Sequence, residues 1–265
     1  MSQSRIARLF DRLKAESKPG LVCYITAGDP SPEHTPRLVA ALERGGADLI
    51  ELGVPFSDPI ADGPVIQRGS DRALKAGTTV PRVLEMARQI RAQSQIPMLL
   101  FSYLNPLLRY GFPALARDAR AAGVDGVLMT DASVEEAEQY VNVMRAAGLD
   151  TVFLAAPTST EERLALVARY STGFIYLVSR TGVTGEQSSI SASVAPLIEA
   201  VRRHTDLPLA VGFGISTHEQ FASIASQAGA AAVGSAFVRF IEMHATDPDL
   251  EAKLEAFTRR LKYGG

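Results

Sequence analysis

Short apolar runs alternate with longer amphipathic segments along the whole of this 265-residue chain. The short runs predict strands at 21–26, 49–53, 98–102, 126–129, 151–154, 174–178, 209–212 and 231–234. Between them, residues 36–44, 80–92, 114–122, 134–146, 160–168, 194–203 and 219–228 carry apolar side chains every three or four positions, the spacing of a helix with one buried face. Several of these segments run into a glycine expected to stop them, at Gly45, Gly123, Gly148 and Gly229. Ahead of the first strand, Ile6, Leu9, Phe10 and Leu13 recur at helical spacing and predict an extra N-terminal helix.

Eight strand–helix units without a linker or a shift in composition predict an α/β fold, a single (β/α)8 barrel over residues 1–265. The alternative is an open, doubly wound sheet. That fold needs fewer strands at this length, and no G-x-G-x-x-G follows the first strand.

One position breaks the apolar pattern. Glu51 stands between Ile50 and Leu52 inside the second predicted strand. Alternation sends Ile50 and Leu52 toward the helix layer and turns Glu51 into the barrel. A carboxylate isolated from water is costly, so its pKa rises and it becomes suited to trade protons near neutral pH. A Pro-rich loop, 54–62, follows and ends on a second carboxylate, Asp62. Active sites of such barrels form from the loops after the strands, so the pair predicts an acid/base site at a strand's mouth.

Composition narrows the chemistry further. A formal net charge of −2 gives no electrostatic reason to bind nucleic acid or an anionic membrane. No apolar run approaches the roughly 20 residues that span a bilayer. The N-terminus lacks an apolar core and carries Asp11 and Glu16, which argues against a targeting segment. The single cysteine, Cys23, lies in an apolar run, reads as a core residue and excludes an internal disulfide, so a cytoplasmic location is expected. Lys14, Lys18, Lys75, Lys253 and Lys262 all lie outside the predicted strands, which discounts a Schiff base. His34, His204, His218 and His244 lack metal-ligand spacing, so no metal is expected.

Two glycine sites point to an anion. Gly212-Phe213-Gly214-Ile215-Ser216 follows the seventh predicted strand, and Gly234-Ser235 follows the eighth and opens a helix. They are either tight turns or the backbone cradle for a phosphate, and their occurrence after the last two strands favours the cradle. The polar stretch 179–189 is either a plain connection or a lid, with Gly185 placed to add a phosphate contact. Tyr103 and Asn105 either line a pocket or satisfy loop backbone, and Asp29-Pro30 reads as turn chemistry. Pro55, Phe56 and Pro59 stiffen the 54–62 loop, either as a packed lid or as a docking surface. Carboxylates, the strand tyrosine Tyr176 and a phosphate cradle together suit acid/base work on a phosphorylated small molecule.

The stretch from Glu51 through Pro55-Phe56-Ser57-Asp58-Pro59 and Ala61-Asp62-Gly63-Pro64 to Ile66-Gln67 closely resembles the signature of the tryptophan synthase α subunit family. Thr26-Ala27-Gly28-Asp29-Pro30, Gly182-Val183-Thr184-Gly185, Gly212-Phe213-Gly214-Ile215 and Gly234-Ser235 follow in the family's order, so the resemblance covers nearly the whole chain. It implies a TIM barrel that cleaves indole-3-glycerol phosphate to indole and glyceraldehyde 3-phosphate by a retro-aldol reaction. It further implies Glu51 as the acid/base and Asp62 as the partner of the indole N–H. Tyr176 matches a pocket tyrosine, Thr184 a lid contact to the catalytic aspartate, and Gly185, Gly214, Gly234 and Ser235 the phosphate site. Lid closure by 180–189 and docking on a β subunit in an αββα assembly are implied as well, with the 54–62 loop on the communication surface. Pyridoxal phosphate is expected on that partner and no cofactor on this chain. Two departures stand out: Ile60 where leucine is commoner, and Phe174 where some members carry a second tyrosine near the indole pocket. A stand-alone lyase releasing free indole, and a catalytically silent allosteric barrel, are the rival functions. Retention of both Glu51 and Asp62 argues against the silent one.

Overall fold

Short apolar runs separated by helical segments do build a closed cylinder. A computed structural model describes residues 3–178, 190–212 and 214–265. Its strands are β1 Gly20–Thr26, β2 Leu49–Gly53, β3 Met98–Ser102, β4 Gly126–Met129, β5 Asp150–Val152, β6 Leu154–Ala155, β7 Ile175–Val178, β8 Leu209–Gly212 and β9 Gly229–Val233. They pair in parallel in the order β5-β4-β3-β2-β1-β9-β8-β7-β6. The two ends of that ladder are separated by Phe153 alone, whose carbonyl accepts the Tyr176 N–H at 3.1 Å. The sheet therefore closes on itself, and the predicted strand at 151–154 is divided at the seam. This is the α/β barrel the alternation predicted.

The helices are α1 Arg5–Ala15, α2 His34–Gly45, α3 Pro64–Lys75, α4 Val80–Arg91, α5 Leu104–Tyr110, α6 Phe112–Ala121, α7 Glu138–Ala146, α8 Glu161–Tyr170, α9 Ile190–Arg202, α10 His218–Ala228, α11 Ser235–Met243 and α12 Leu250–Tyr263. Ile50 and Leu52 face this layer and join the large cluster between sheet and helices. Inside the barrel, Val22, Leu49, Leu99, Leu128, Val152 and Phe174 form a second cluster with Ile6, Leu9, Phe10 and Leu13 of α1. The N-terminal helix is thus a plug, capped by Ser4 Oγ, which accepts the Ala7 N–H at 3.1 Å. Asp125, ahead of β4, fastens it: its carboxylate takes Arg5 and Arg91 at 2.9 Å each and the Met98 N–H at 2.9 Å.

The pattern missed some elements for identifiable reasons. The buried face of α3 is Val65, Gly69, Ser70 and Ala73, too small and polar to register as an apolar stripe. The predicted helix at 134–146 is a short 3-10 turn, Val134–Glu136, followed by α7. Gly45 is not the stop of α2; the left-handed residue is Gly46, with φ 110°. Gly45 is the last helical residue, and a Cβ there would lie 2.5 Å from the Thr258 side chain of α12. It is a packing glycine. No helix among the described residues is long and apolar enough to cross a membrane.

Candidate active site

The plug leaves the other end of the barrel open. A cavity of about 880 Å³ lies beyond the C-terminal ends of the strands, and Glu51, Asp62, Tyr176, Gly214, Gly234 and Ser235 all border it. Alternation along β2 explains its floor. Leu49 points into the sealed inner cluster, and Glu51, the next inward position, points into the cavity. Glu51 is 1% exposed and its Oε1 has no hydrogen-bond partner among the described residues. Burial alone pushes its carboxyl up to about 8.

Asp62 is held differently. Its N–H donates to the Pro59 carbonyl at 3.0 Å, and its own carbonyl accepts Gln67 Nε2 at 2.8 Å, pinning the loop to the start of α3. Gly63 then caps the helix and Pro64 occupies its first turn, where a missing N–H is harmless. Partial burial raises Asp62 to about 6, against a hydrogen bond from the Tyr103 hydroxyl that favours the charged form. The Tyr103 oxygen also accepts the Ala61 N–H at 3.0 Å, and its ring packs on Phe56 at 5.3 Å. Burial therefore raises both acids, Glu51 further than Asp62, and only Asp62 has a hydrogen bond that favours its charged form.

Across the cavity, Gly214 has φ 75° with open space where a Cβ would go, so its backbone can be approached closely. Gly234 is the N-cap of α11; the Phe237 N–H donates back to its carbonyl at 2.9 Å, and the N–H groups ahead of it lack intrahelical acceptors. Such a helix end attracts an anion. An acid/base pair at one end and an anion cradle at the other suit a small phosphorylated molecule.

Comparison with known proteins shows the family. The family model for the tryptophan synthase alpha chain matches residues 10–264. The chain belongs to the tryptophan synthase alpha chain family. The alpha chain of Solibacter usitatus is 69% identical over 261 residues, 98% of each chain, and that of Geobacter sulfurreducens is 48% identical over 259 residues, again 98% of each. Among solved structures, the alpha subunit of Legionella pneumophila str. Paris matches at 35% identity and a TM-score of 0.90, covering 99% of this chain and 98% of that one. A structure of Mycobacterium tuberculosis tryptophan synthase matches at 36% identity and a TM-score of 0.90, over 99% of this chain and 98% of that chain.

Two of the site residues suggested by the alpha chain family's motifs, Thr184 and Gly185, lie outside the described residues, as do the proposed lid at 180–189 and Phe213. Asn105 is exposed on α5, while Tyr103 supports Asp62 from behind. Asp29 is not only a turn residue: it is buried and takes a bidentate pair from Arg72, both bonds at 2.8 Å. Phe174 stands in the sealed core against Phe10, ring centroids 5.5 Å apart, and does not border the cavity. Tyr24, Phe101, Thr130 and Leu154, which do border it, were not singled out from the sequence. Tyr24 was legible in principle, because it lies on the inward face of β1 as Glu51 does on β2. Among the described residues, no three His, Cys, Asp or Glu side chains come together as a metal site would need.

Proposed function

We propose that this chain cleaves indole-3-glycerol phosphate to indole and glyceraldehyde 3-phosphate. The observation that carries the reading is a buried, unpartnered carboxyl, Glu51, and a second, loop-borne carboxyl, Asp62, lining a single cavity. Asp62 accepts the indole N–H, the backbone of Gly214, Gly234 and Ser235, with Gly185, receives the phosphate end, and Thr184 contacts the catalytic aspartate. The rings of Tyr24, Phe101 and Tyr176 wall the indole. Glu51 gives its proton to indole C3, and the positive charge that develops on the ring nitrogen is stabilised by Asp62. The Glu51 carboxylate then removes the proton of the hydroxyl on the carbon attached to C3. As that carbon–carbon bond breaks, its electron pair restores the aromatic indole and the hydroxyl carbon becomes the aldehyde. Glu51 ends protonated, as it began.

The family implies a β subunit as partner, and two features support docking at this end. Ile60, in the loop carrying Asp62, is 83% exposed, and Leu108 of α5 is 55% exposed. Pyridoxal phosphate belongs to that partner in this reading, and the chain itself works with side chains and backbone alone.

The test is indole release by the purified chain, with and without a tryptophan synthase β subunit. Activity needs Asp62 ionised and Glu51 protonated, so it should be bell-shaped, falling below pH about 6 and above pH about 8. The β subunit should raise turnover by roughly tenfold or more. No release under either condition would sink the reading, and release indifferent to the β subunit would favour a stand-alone lyase.

A further inference from the structure

Strands β2 and β9 are each followed by two helices, and the first of each pair opens at the cavity. Helix α3 starts at Pro64, two residues after Asp62, and α11 starts at Ser235, beside Gly234. The carboxylate proposed for the indole N–H and the cradle proposed for the phosphate therefore each sit at the leading end of a helix. These two helices pack on each other. Val65 of α3 and Val238 of α11 share a small cluster with Tyr24, which borders the cavity. One turn further along, α3 presents Gly69. A Cβ there would lie 2.9 Å from Val238 Cγ1, 3.0 Å from Thr26 Oγ1 and 3.2 Å from the Asp29 carboxylate. Having no side chain at position 69 lets α3 approach both α11 and the end of β1.

Beyond Gly69 the contact becomes ionic. Glu242 of α11 accepts from Arg68 Nε and Nη2 at 2.8 Å each, and from Arg72 Nη1 at 2.7 Å. The remaining nitrogens of Arg72, Nε and Nη2, donate to the two oxygens of Asp29 at 2.8 Å each. Arg72 is thus shared between α11 and the loop after β1, with every guanidinium nitrogen engaged. A guanidinium holds its donors in one rigid plane, so it fixes the two carboxylates relative to each other. The hydrogen bond from Arg68, with Arg72 alongside, holds the Glu242 carboxyl down to about 2, so this link stays charged wherever the enzyme would work. None of Asp29, Arg68, Arg72 and Glu242 borders the cavity. Whatever they do for a ligand, they do through the helices that carry them.

We propose that Arg72 and Glu242 are positioning residues: their clasp fixes the leading ends of α3 and α11 relative to each other and so sets the span between Asp62 and the phosphate cradle. The inference rests on the proposed function for what occupies the two ends. A ligand held at both ends gains when the span matches its length, because the second end then binds as if at high local concentration. A span free to vary loses that gain, while each end still binds its own fragment.

Glu242 is partly exposed, and Glu242→Ala cuts α11 from both arginines while leaving the Arg72–Asp29 pair in place. Three probes are titrated into the full chain by NMR: indole, inorganic phosphate, and indole-3-propanol phosphate, which carries both ends and cannot be cleaved. In Glu242→Ala the Kd of the two-ended ligand should rise about tenfold, while those of indole and phosphate stay within about twofold. Cleavage should lose about tenfold or more in kcat/KM, by the same factor at every pH. Glu242→Gln keeps an acceptor for Arg72 and should recover part of the loss. Arg72→Lys keeps the charge without the fork and should weaken the two-ended ligand roughly threefold. A folded Glu242→Ala protein that binds the two-ended ligand as the wild type does overturns the proposal. So does one that binds either fragment markedly more weakly, because the damage then lies at one end and not in the span. If Glu242→Ala does not fold, Glu242→Gln decides by the same three titrations. Wild-type protein that binds the two-ended ligand but releases no indole overturns the proposed function alone, and the titrations still test the clasp. Wild-type protein that binds this ligand no better than its fragments overturns both.

Discussion

Two buried carboxylates, at opposite ends of the same barrel, have opposite environments. Asp125 is 3% exposed and is met by two guanidiniums and a backbone N–H. Glu51 is 1% exposed and its Oε1 is met by nothing among the described residues. Equal burial therefore says little about role, and the partners say a great deal. At the plugged end Asp125 is neutralised by its neighbours, and the arrangement holds α1 and β4 together, although Asp150 at the same end keeps a buried Oδ2 without a partner among the described residues. At the open end the charge is left for a ligand to answer, and burial turns the carboxyl into a proton donor. The satisfied Asp125 helps to hold the barrel closed, and the unpartnered Glu51 is the buried carboxyl that faces the cavity.

The sharpest way to test this contrast is Glu51→Gln. Indole release should fall on the order of 10³-fold, measured as turnover, because the proton donor is gone. The same change should make the fold more stable at neutral pH. The folded-state pKa of Glu51 is raised to about 8, so its neutral form is fully favourable only below the unfolded glutamate's pKa. That stability is lost as pH rises through the folded value. Glutamine has no such loss, and its advantage at pH 7 should reach on the order of 3 kcal/mol in urea unfolding. A variant that is both active and no more stable would erase the distinction between the two ends.

Asp125→Ala should do the reverse. Two arginines lose their buried partner, so unfolding should come about 3–5 kcal/mol sooner while turnover per folded molecule stays within about twofold. The comparison fails if that variant loses activity before it loses stability. The smallest expected effect belongs to the outer layer. Gly45→Ala brings a methyl to 2.5 Å from Thr258 and 2.7 Å from the Glu255 carbonyl. It should destabilise the α2–α12 contact by about 1–3 kcal/mol, with no shift in the pH dependence of turnover.

Much of this was legible beforehand, and the exceptions are instructive. Strands at β2, β3, β4 and β8 fall at their predicted bounds, because five or fewer apolar residues closed by a turn leave little room for error. Glu51 was visible because a lone carboxylate in an aliphatic run has few structural explanations. Asp62 needed the loop's length and the family motif. Tyr24 escaped notice, since a tyrosine in a strand is ordinary until its hydroxyl is seen over a glycine of the next strand. Helix α3 hid behind a small, polar buried face, and Gly45 passed for a stop because its close approach to α12 involves a contact more than 200 residues away.

Local order, then, was written in the chain itself: hydrophobic period chose strand or helix, alternation turned Glu51 inward, and glycine and proline placed the breaks. These are properties of near neighbours, and near neighbours are what a sequence displays. Closure of the sheet at Phe153, the plug formed by α1, and the meeting of Glu51 with Tyr24 and Asp62 in one cavity depend on contacts between distant segments. So does the pKa of Glu51, which is raised because the folded barrel removes water and offers no partner in return. Only the tertiary structure sets that desolvation, and with it the chemistry.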